Sequence, residues 1–193
     1  MAEDSIPPDR WTALEGRVRS LLEKGELDLA ATIAIEALRP EALAYLRTRL
    51  DEDEANDALS LWSEAVWKDL GSFRWQSSLR AWAIGVARHS ASRIVRKPHR
   101  HREQHLSSSA ASWIAASIGT SVAISAERHQ KLALLRATLD EDEQELLTLR
   151  IDRGLEWEEV AYILETNSAA VRKRMERLTK KLAQQARELG LLD

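Results

Sequence analysis

From Trp11 onward the large apolar residues recur at steps of three and four: Trp11, Leu14, Val18, Leu21 and Leu22 near the start, and Val171, Met175, Leu178 and Leu182 near the end. That spacing lines one face of a helix. The chain has only 7 Gly and 4 Pro in 193 residues, and it is rich in Ala, Leu, Glu and Arg, all good helix formers. Only one Phe and two Tyr, beside seven Trp, keep the aromatic content at 5%, low for a strand-rich chain. The expected fold class is all-α.

The breaks in this pattern divide the chain. Residues 1–10, MAEDSIPPDR, are acidic, hold Pro7–Pro8 and lack an apolar signal core; they are expected to be disordered. A helix from Trp11 should end at Gly25. A second should run from about Glu26 to Arg39 and break at Pro40, and a third from Glu41 to Leu50. Asp51 to Glu54 open a further helix that carries Leu61, Trp62, Val66 and Trp67 as far as Leu70. Leu79 to Lys97 reads as the next, stopped by Pro98. From Leu106 to Ala126 there is no charged residue at all, and Ser, Thr and a Gly make this segment too polar for a membrane span. It reads as a flexible linker. Helices from Glu127 to Leu139, from Asp140 to Arg153 and beyond complete the chain. The expected organisation is a helical domain over 11–103, a linker over 104–126 and a second helical domain over 127–193.

The acidic runs 51–54 and 140–143 invite a metal-site reading, but each stands where a helix begins. Carboxylates there oppose the helix dipole, and Asp140 with Glu143 has the spacing of a capping box. The chain has no Cys, which rules out disulfides and thiolate metal sites and suits a reducing cytoplasmic setting.

A net charge of −3 conceals strong segregation. Residues 1–70 carry −8, 71–105 carry +7, 106–169 carry −6 and 170–193 carry +4. Two basic blocks on an otherwise acidic chain suggest two anion-binding faces. The first block, GSFRWQSSLRAWAIGVARHSASRIVRKPHRHREQH, threads Phe73, Trp75 and Trp82 among eight Lys and Arg. Cations with interleaved aromatics can hold a phosphate backbone and stack on unpaired bases. Trp82 sits on an apolar stripe and reads first as core. Phe73 and Trp75, beside Gln76, Ser77 and Ser78, lie between two helices and can project from a loop. The candidate single-strand site is Phe73, Arg74, Trp75, Gln76, Ser77 and Ser78, continued by Arg80, Arg88, His89, Arg93, Arg96 and Lys97, with the helix start near Ser78 aimed at a phosphate. His99, His101 and His105 extend the same basic run, and no metal site is expected.

The second block has a different form. Residues 155–183, LEWEEVAYILETNSAAVRKRMERLTKKLA, give a short helix, a three-residue turn at Glu165-Thr166-Asn167 and a basic helix capped by Ser168 or Asn167. This is a helix-turn-helix, whose second helix enters the duplex major groove N-terminus first. Glu165 stands where such a turn wants Gly at positive φ. Candidate duplex contacts are Asn167, Ser168, Ala169, Ala170, Arg172, Lys173, Arg174 and Arg177.

These segments resemble a known family. FRWQSSLRAWAIGVARHSASRIVRK and DEDEQELLTLRIDRGLEWEEVAYILETNSAAVRKRMERL, in this order and with a linker of this length, are similar to regions 2 and 4 of bacterial sigma factors of the extracytoplasmic-function group. The similarity spans about residues 11–103 and 127–188. It implies a region 2-like bundle that binds core RNA polymerase and the −10 element, and a region 4-like helix-turn-helix that binds the −35 element of promoter DNA. It further implies that the helix from Asp51 docks on the polymerase clamp through Asp57, Ser60, Leu61 and Glu64. The family's usual Asp-Leu-Val-Gln-Glu stands here as Asp57-Ala58-Leu59-Ser60-Leu61. An anti-sigma factor would be a further partner. Neither catalytic residues nor a cofactor nor membrane insertion is expected. The other readings are a helix-turn-helix regulator independent of polymerase and a helical adaptor for an acidic protein.

Overall fold

The computed structural model describes residues 8–95 and 135–188, and every regular element among them is helical. The chain divides into two compact units, one of Met1–Leu46 and Glu52–Lys97, the other of Arg47–Asp51 and Pro98–Asp193. The linker over 104–126, and the ends 1–7 and 189–193, lie outside the described residues.

Four helices build the first unit: α1 (Pro8–Glu23), α2 (Leu27–Leu46), α3 (Glu52–Asp69) and α4 (Leu79–Val95). Helix α1 ends as the sequence suggests. Gly25 takes φ +77°, which a side chain would resist. Gly25 N then donates to Leu22 O at 3.0 Å and Glu26 N to Leu21 O at 2.9 Å, the paired bonds of a Schellman cap. Helix α2 departs from expectation, because it runs through Pro40 instead of breaking there. Pro40 gives up one intrahelical bond. The buried face nevertheless continues across it, from Ala30, Ala31, Ala34 and Leu38 to Ala42, Tyr45 and Leu46, so packing outweighs the local penalty.

The core is made of small residues around one large anchor. Ala55 and Ala58 on α3, with Ala81, Ala83, Ala87 and Ala91 on α4, are all buried and let the helices approach closely. Trp62 is wholly enclosed, and its Nε1 donates to Ala83 O at 2.9 Å. A buried indole needs such an acceptor, and this one fixes α3 against α4. Trp67 is instead 44% exposed. Five residues separate it from Trp62, which turns it off the buried face. A 3-10 turn, Leu70–Ser72, leads out of α3 into the loop before α4.

In the second unit residues 135–137 are helical. They are followed by α5 (Glu141–Leu147), a π-helical turn (Thr148–Asp152), α6 (Trp157–Ile163) and α7 (Ser168–Glu188). The expected capping box is present: Glu143 N donates to Asp140 Oδ1 at 2.8 Å, and Asp140 N to Glu143 Oε2 at 3.1 Å. Where one helix to Arg153 was expected, α5 widens into the π turn, and Arg153 N reaches Thr148 O at 2.9 Å. Gly154, at φ +62°, then turns the chain towards α6. Leu149, Leu155, Val160, Ile163, Val171 and Leu178 form the core of this unit.

Candidate nucleic-acid interface

The loop 73–78 is organised by a column of rings. Phe73 stacks on Trp82 with centroids 4.9 Å apart and an interplanar angle of 27°. Trp75 meets Phe73 at 4.8 Å, tilted by 48°. The Arg19 guanidinium of α1 then lies 4.4 Å from the Trp75 centroid. Phe73 and Trp75 are therefore half-buried against one another and do not project singly as the sequence suggested. Stacking these rings removes more apolar area from water than displaying them separately. Trp75 holds φ +57°, a genuine outlier for a bulky residue, costing roughly 1–2 kcal/mol. Backbone strain of this kind persists only where neighbours over-determine it. Arg74 and Gln76, on either side of Trp75, are exposed.

The start of α4 also differs from expectation. Ser78 Oγ accepts from Ala81 N at 3.0 Å, and Glu15 of α1 accepts from Leu79 N at 2.6 Å. The first amides, expected to face a phosphate, are already occupied by a hydroxyl and a carboxylate of the same chain. Arg80, expected on the outward basic track, is largely buried: its Nη2 pairs with Glu41 Oε2 at 2.9 Å, and its guanidinium lies 5.0 Å from the Trp11 ring. Neighbouring helices supply both partners, which no local pattern around residue 80 could reveal. Arg88 is half-buried, while His89 and Arg93 are exposed on α4. Arg96 and Lys97 lie outside the described residues.

On α3, Asp57, Ser60 and Glu64 are exposed and Leu61 is half-buried, a mixed face opposite the side that buries Ala55, Leu59 and Trp62. Glu64 Oε1 accepts from Lys68 Nζ at 2.5 Å. That hydrogen bond holds the Glu64 carboxyl below its ordinary pKa, aided by the Lys68 charge and then by Arg93. Glu64 thus stays ionised further into acid than an ordinary glutamate.

The helix-turn-helix closes tightly. Glu165 takes φ +53°. Glu165 N donates to Tyr162 O at 3.2 Å and Thr166 N to Ala161 O at 3.0 Å, a Schellman cap with Glu in the glycine position. Asn167, the alternative to Ser168, caps α7 by accepting from Ala170 N at 2.9 Å. Val171 and Leu178 anchor α7 to its core. Asn167, Ala169, Arg172, Lys173, Arg174 and Arg177 are exposed, while Ser168 and Ala170 are half-buried. Arg172 is drawn back towards α6: its Nη2 lies 3.1 Å from Glu158 Oε1, and its guanidinium 5.8 Å from the Trp157 ring. Arg150 covers the same ring at 4.5 Å. Reasoning from sequence assigned Arg19, Glu15, Trp11 and Arg150 no part in either face, because each joins through space rather than through spacing along a helix.

No family model matches this sequence, and no curated protein matches it. Solved structures do. The sigma factor RpoE of Bartonella quintana, in complex with the anti-sigma factor NepR, superposes with a TM-score of 0.56 at 17% identity, over 79% of this chain and 94% of that one. CnrH, in complex with the cytosolic domain of CnrY, gives a TM-score of 0.51 at 18% identity, over 89% of this chain and 94% of that one. The fold is that of the extracytoplasmic-function sigma factors. The ring column belongs to the first unit and the helix-turn-helix to the second. The resemblance found at residues 73–97 and 140–178 is thus matched by the fold of the chain, with all regular elements helical among the described residues.

Proposed function

We propose that this chain is a bacterial transcription initiation factor of the sigma type. It binds core RNA polymerase through the exposed side of α3, reads duplex DNA with α7, and holds an opened strand at the ring column before α4. Its role is recognition, and the polymerase carries the chemistry. The observation that carries this reading is the strained Trp75, kept against Phe73 and Arg19 in a basic loop. Reading a closed duplex needs side chains that reach base edges in a groove. Stacked aromatics beside exposed cations serve an unpaired strand. A chain with one surface of each kind suits a protein that locates a promoter and opens it.

A protein antagonist fits the same reading. The RpoE neighbour was solved with an anti-sigma factor and CnrH with the cytosolic domain of CnrY, and we infer a partner of that kind here. The direct test is capture of purified core polymerase by this chain, followed by transcription from a random promoter library. Recovered templates should share two separated sequence elements. Failure to bind core, with a single duplex footprint, would instead make the chain a helix-turn-helix regulator independent of polymerase.

A further inference from the structure

We propose that Arg19, on α1, is a further DNA-contacting residue: its guanidinium forms the outer layer of the Trp82–Phe73–Trp75 column, and an unpaired base stacks on it. This deepens the strand-opening reading above and rests on it. Arg19 is exposed, whereas its neighbour Val18 is wholly buried and seats this turn of α1 in the core. The guanidinium lies 4.4 Å from the Trp75 centroid, and Trp75 in turn meets Phe73 at 4.8 Å. Phe73 and Trp75 are half-buried, so Arg19 is the exposed member of the column.

The chemistry suits a nucleobase. A guanidinium is planar and weakly hydrated, and it stacks on π-systems while keeping its charge. Protein–nucleic acid complexes use such planes as well as aromatic rings to hold splayed-out bases. Residues 1–70 are otherwise acidic, with a net charge of −8, so this cation adds positive potential where Arg74 is also exposed. The strain at Trp75 points the same way. A residue at φ +57° is held by its neighbours, and both Phe73 and Arg19 lie against its ring. It joins the ring and the solvent-facing charge in a single side chain.

The test uses polymerase holoenzyme reconstituted with the full chain, and forked promoter DNA whose −10 strand is unpaired. Wild type, Arg19→Ala and Arg19→Lys are each measured on the intact strand and on strands with an abasic site stepped through the unpaired positions. Arg19→Ala should bind the intact strand about tenfold more weakly, the scale of one lost stacking contact. At one position the abasic site should weaken wild type similarly and abolish most of the difference between wild type and Arg19→Ala. Arg19→Lys, which keeps the charge and loses the plane, should retain the salt dependence of wild type but recover only part of the affinity. An Arg19→Ala penalty that is equal at every abasic position would overturn the proposal, since the residue would then act on a phosphate or on the fold. Unchanged or tighter binding by Arg19→Ala would overturn it as well. Wild-type holoenzyme that does not prefer forked to closed DNA would overturn the strand-opening function itself, a failure visible without any variant.

Discussion

Glu165 and Trp75 are the two described residues other than glycine at positive φ, +53° and +57°, and they differ in how far the sequence announces them. Glu165 ends α6 before a fixed three-residue turn, so the need for a left-handed residue is readable from local spacing alone. Replacing it by Gly removes a strain of roughly 1–2 kcal/mol while adding some entropy to the unfolded chain. Glu165→Gly should therefore stabilise the second unit by about 0.5–1 kcal/mol, read as a higher urea midpoint at constant slope. A lower midpoint would mean that the interactions of the Glu165 side chain outweigh the strain. Trp75 gives no such local sign. Its conformation depends on Phe73 beside it and on Arg19, which lies far away in sequence. The presence of aromatics in this basic stretch was legible; their half-burial in a column was not, because it is set by contacts between α1, the loop and α4. Arg80 makes the same point: its helical position suggested an outward cation, and Glu41 and Trp11 draw it inward.

At the scale of single helices, capping and periodicity carried most of the information. The Asp140–Glu143 box, the stop at Gly25 and the stripe of Val171 and Leu178 follow from short-range rules and are all present. The continuous α2 does not follow, because Pro40 is a strong local signal that only packing on both sides can override. The exposed face of α3 is where the docking assignment can be tested. Asp57 and Glu64 are exposed, Glu64 while paired with Lys68. Reversing both charges with Arg should weaken capture of core polymerase, since like charges placed across an interface cost several kcal/mol. The circular dichroism spectrum should stay helical. Capture that is unchanged would remove α3 from the interface. Below the lowered pKa of Glu64 its charge is lost, so capture should fall in acid at a lower pH than for an ordinary glutamate. On α7, Arg172, Lys173 and Arg174 are all exposed, and under the proposed function Arg172 would exchange Glu158 for DNA. Arg172→Ala should cost about 1–3 kcal/mol and relax preference at one base pair if it reads a base edge. Lys173→Ala, as a phosphate contact, should weaken all sequences alike and lower the salt slope by about 1. These outcomes are read by duplex binding at several salt concentrations, and no change in either variant would end the helix-turn-helix assignment.

For the molecule as a whole, charge segregation was the most informative property of the sequence. A near-neutral total of −3 hides blocks of +7 and +4, and these blocks hold most of the basic residues of the two proposed DNA-binding faces, Arg19 excepted. Residues 71–97 of the first block fall in the first unit, and the second block falls in the second. In the proposed function, long-range electrostatics of this kind would steer the chain to DNA, but opening the duplex needs a place for the released base. A base stacked on the ring column gains roughly 1–3 kcal/mol, comparable with the few kcal/mol spent in unstacking it. The column is therefore expected to matter when the strand is still paired and to matter less once the strand has been opened artificially. The decisive measurement is transcription by holoenzyme carrying Trp75→Ala, compared with wild type on a fully duplex promoter and on the same promoter with a pre-melted −10 bubble. A large loss on duplex, substantial recovery on the bubble and unchanged binding of the upstream duplex are predicted. Equal activity of variant and wild type on both templates would show that Trp75 takes no part in opening, and would contradict the central claim.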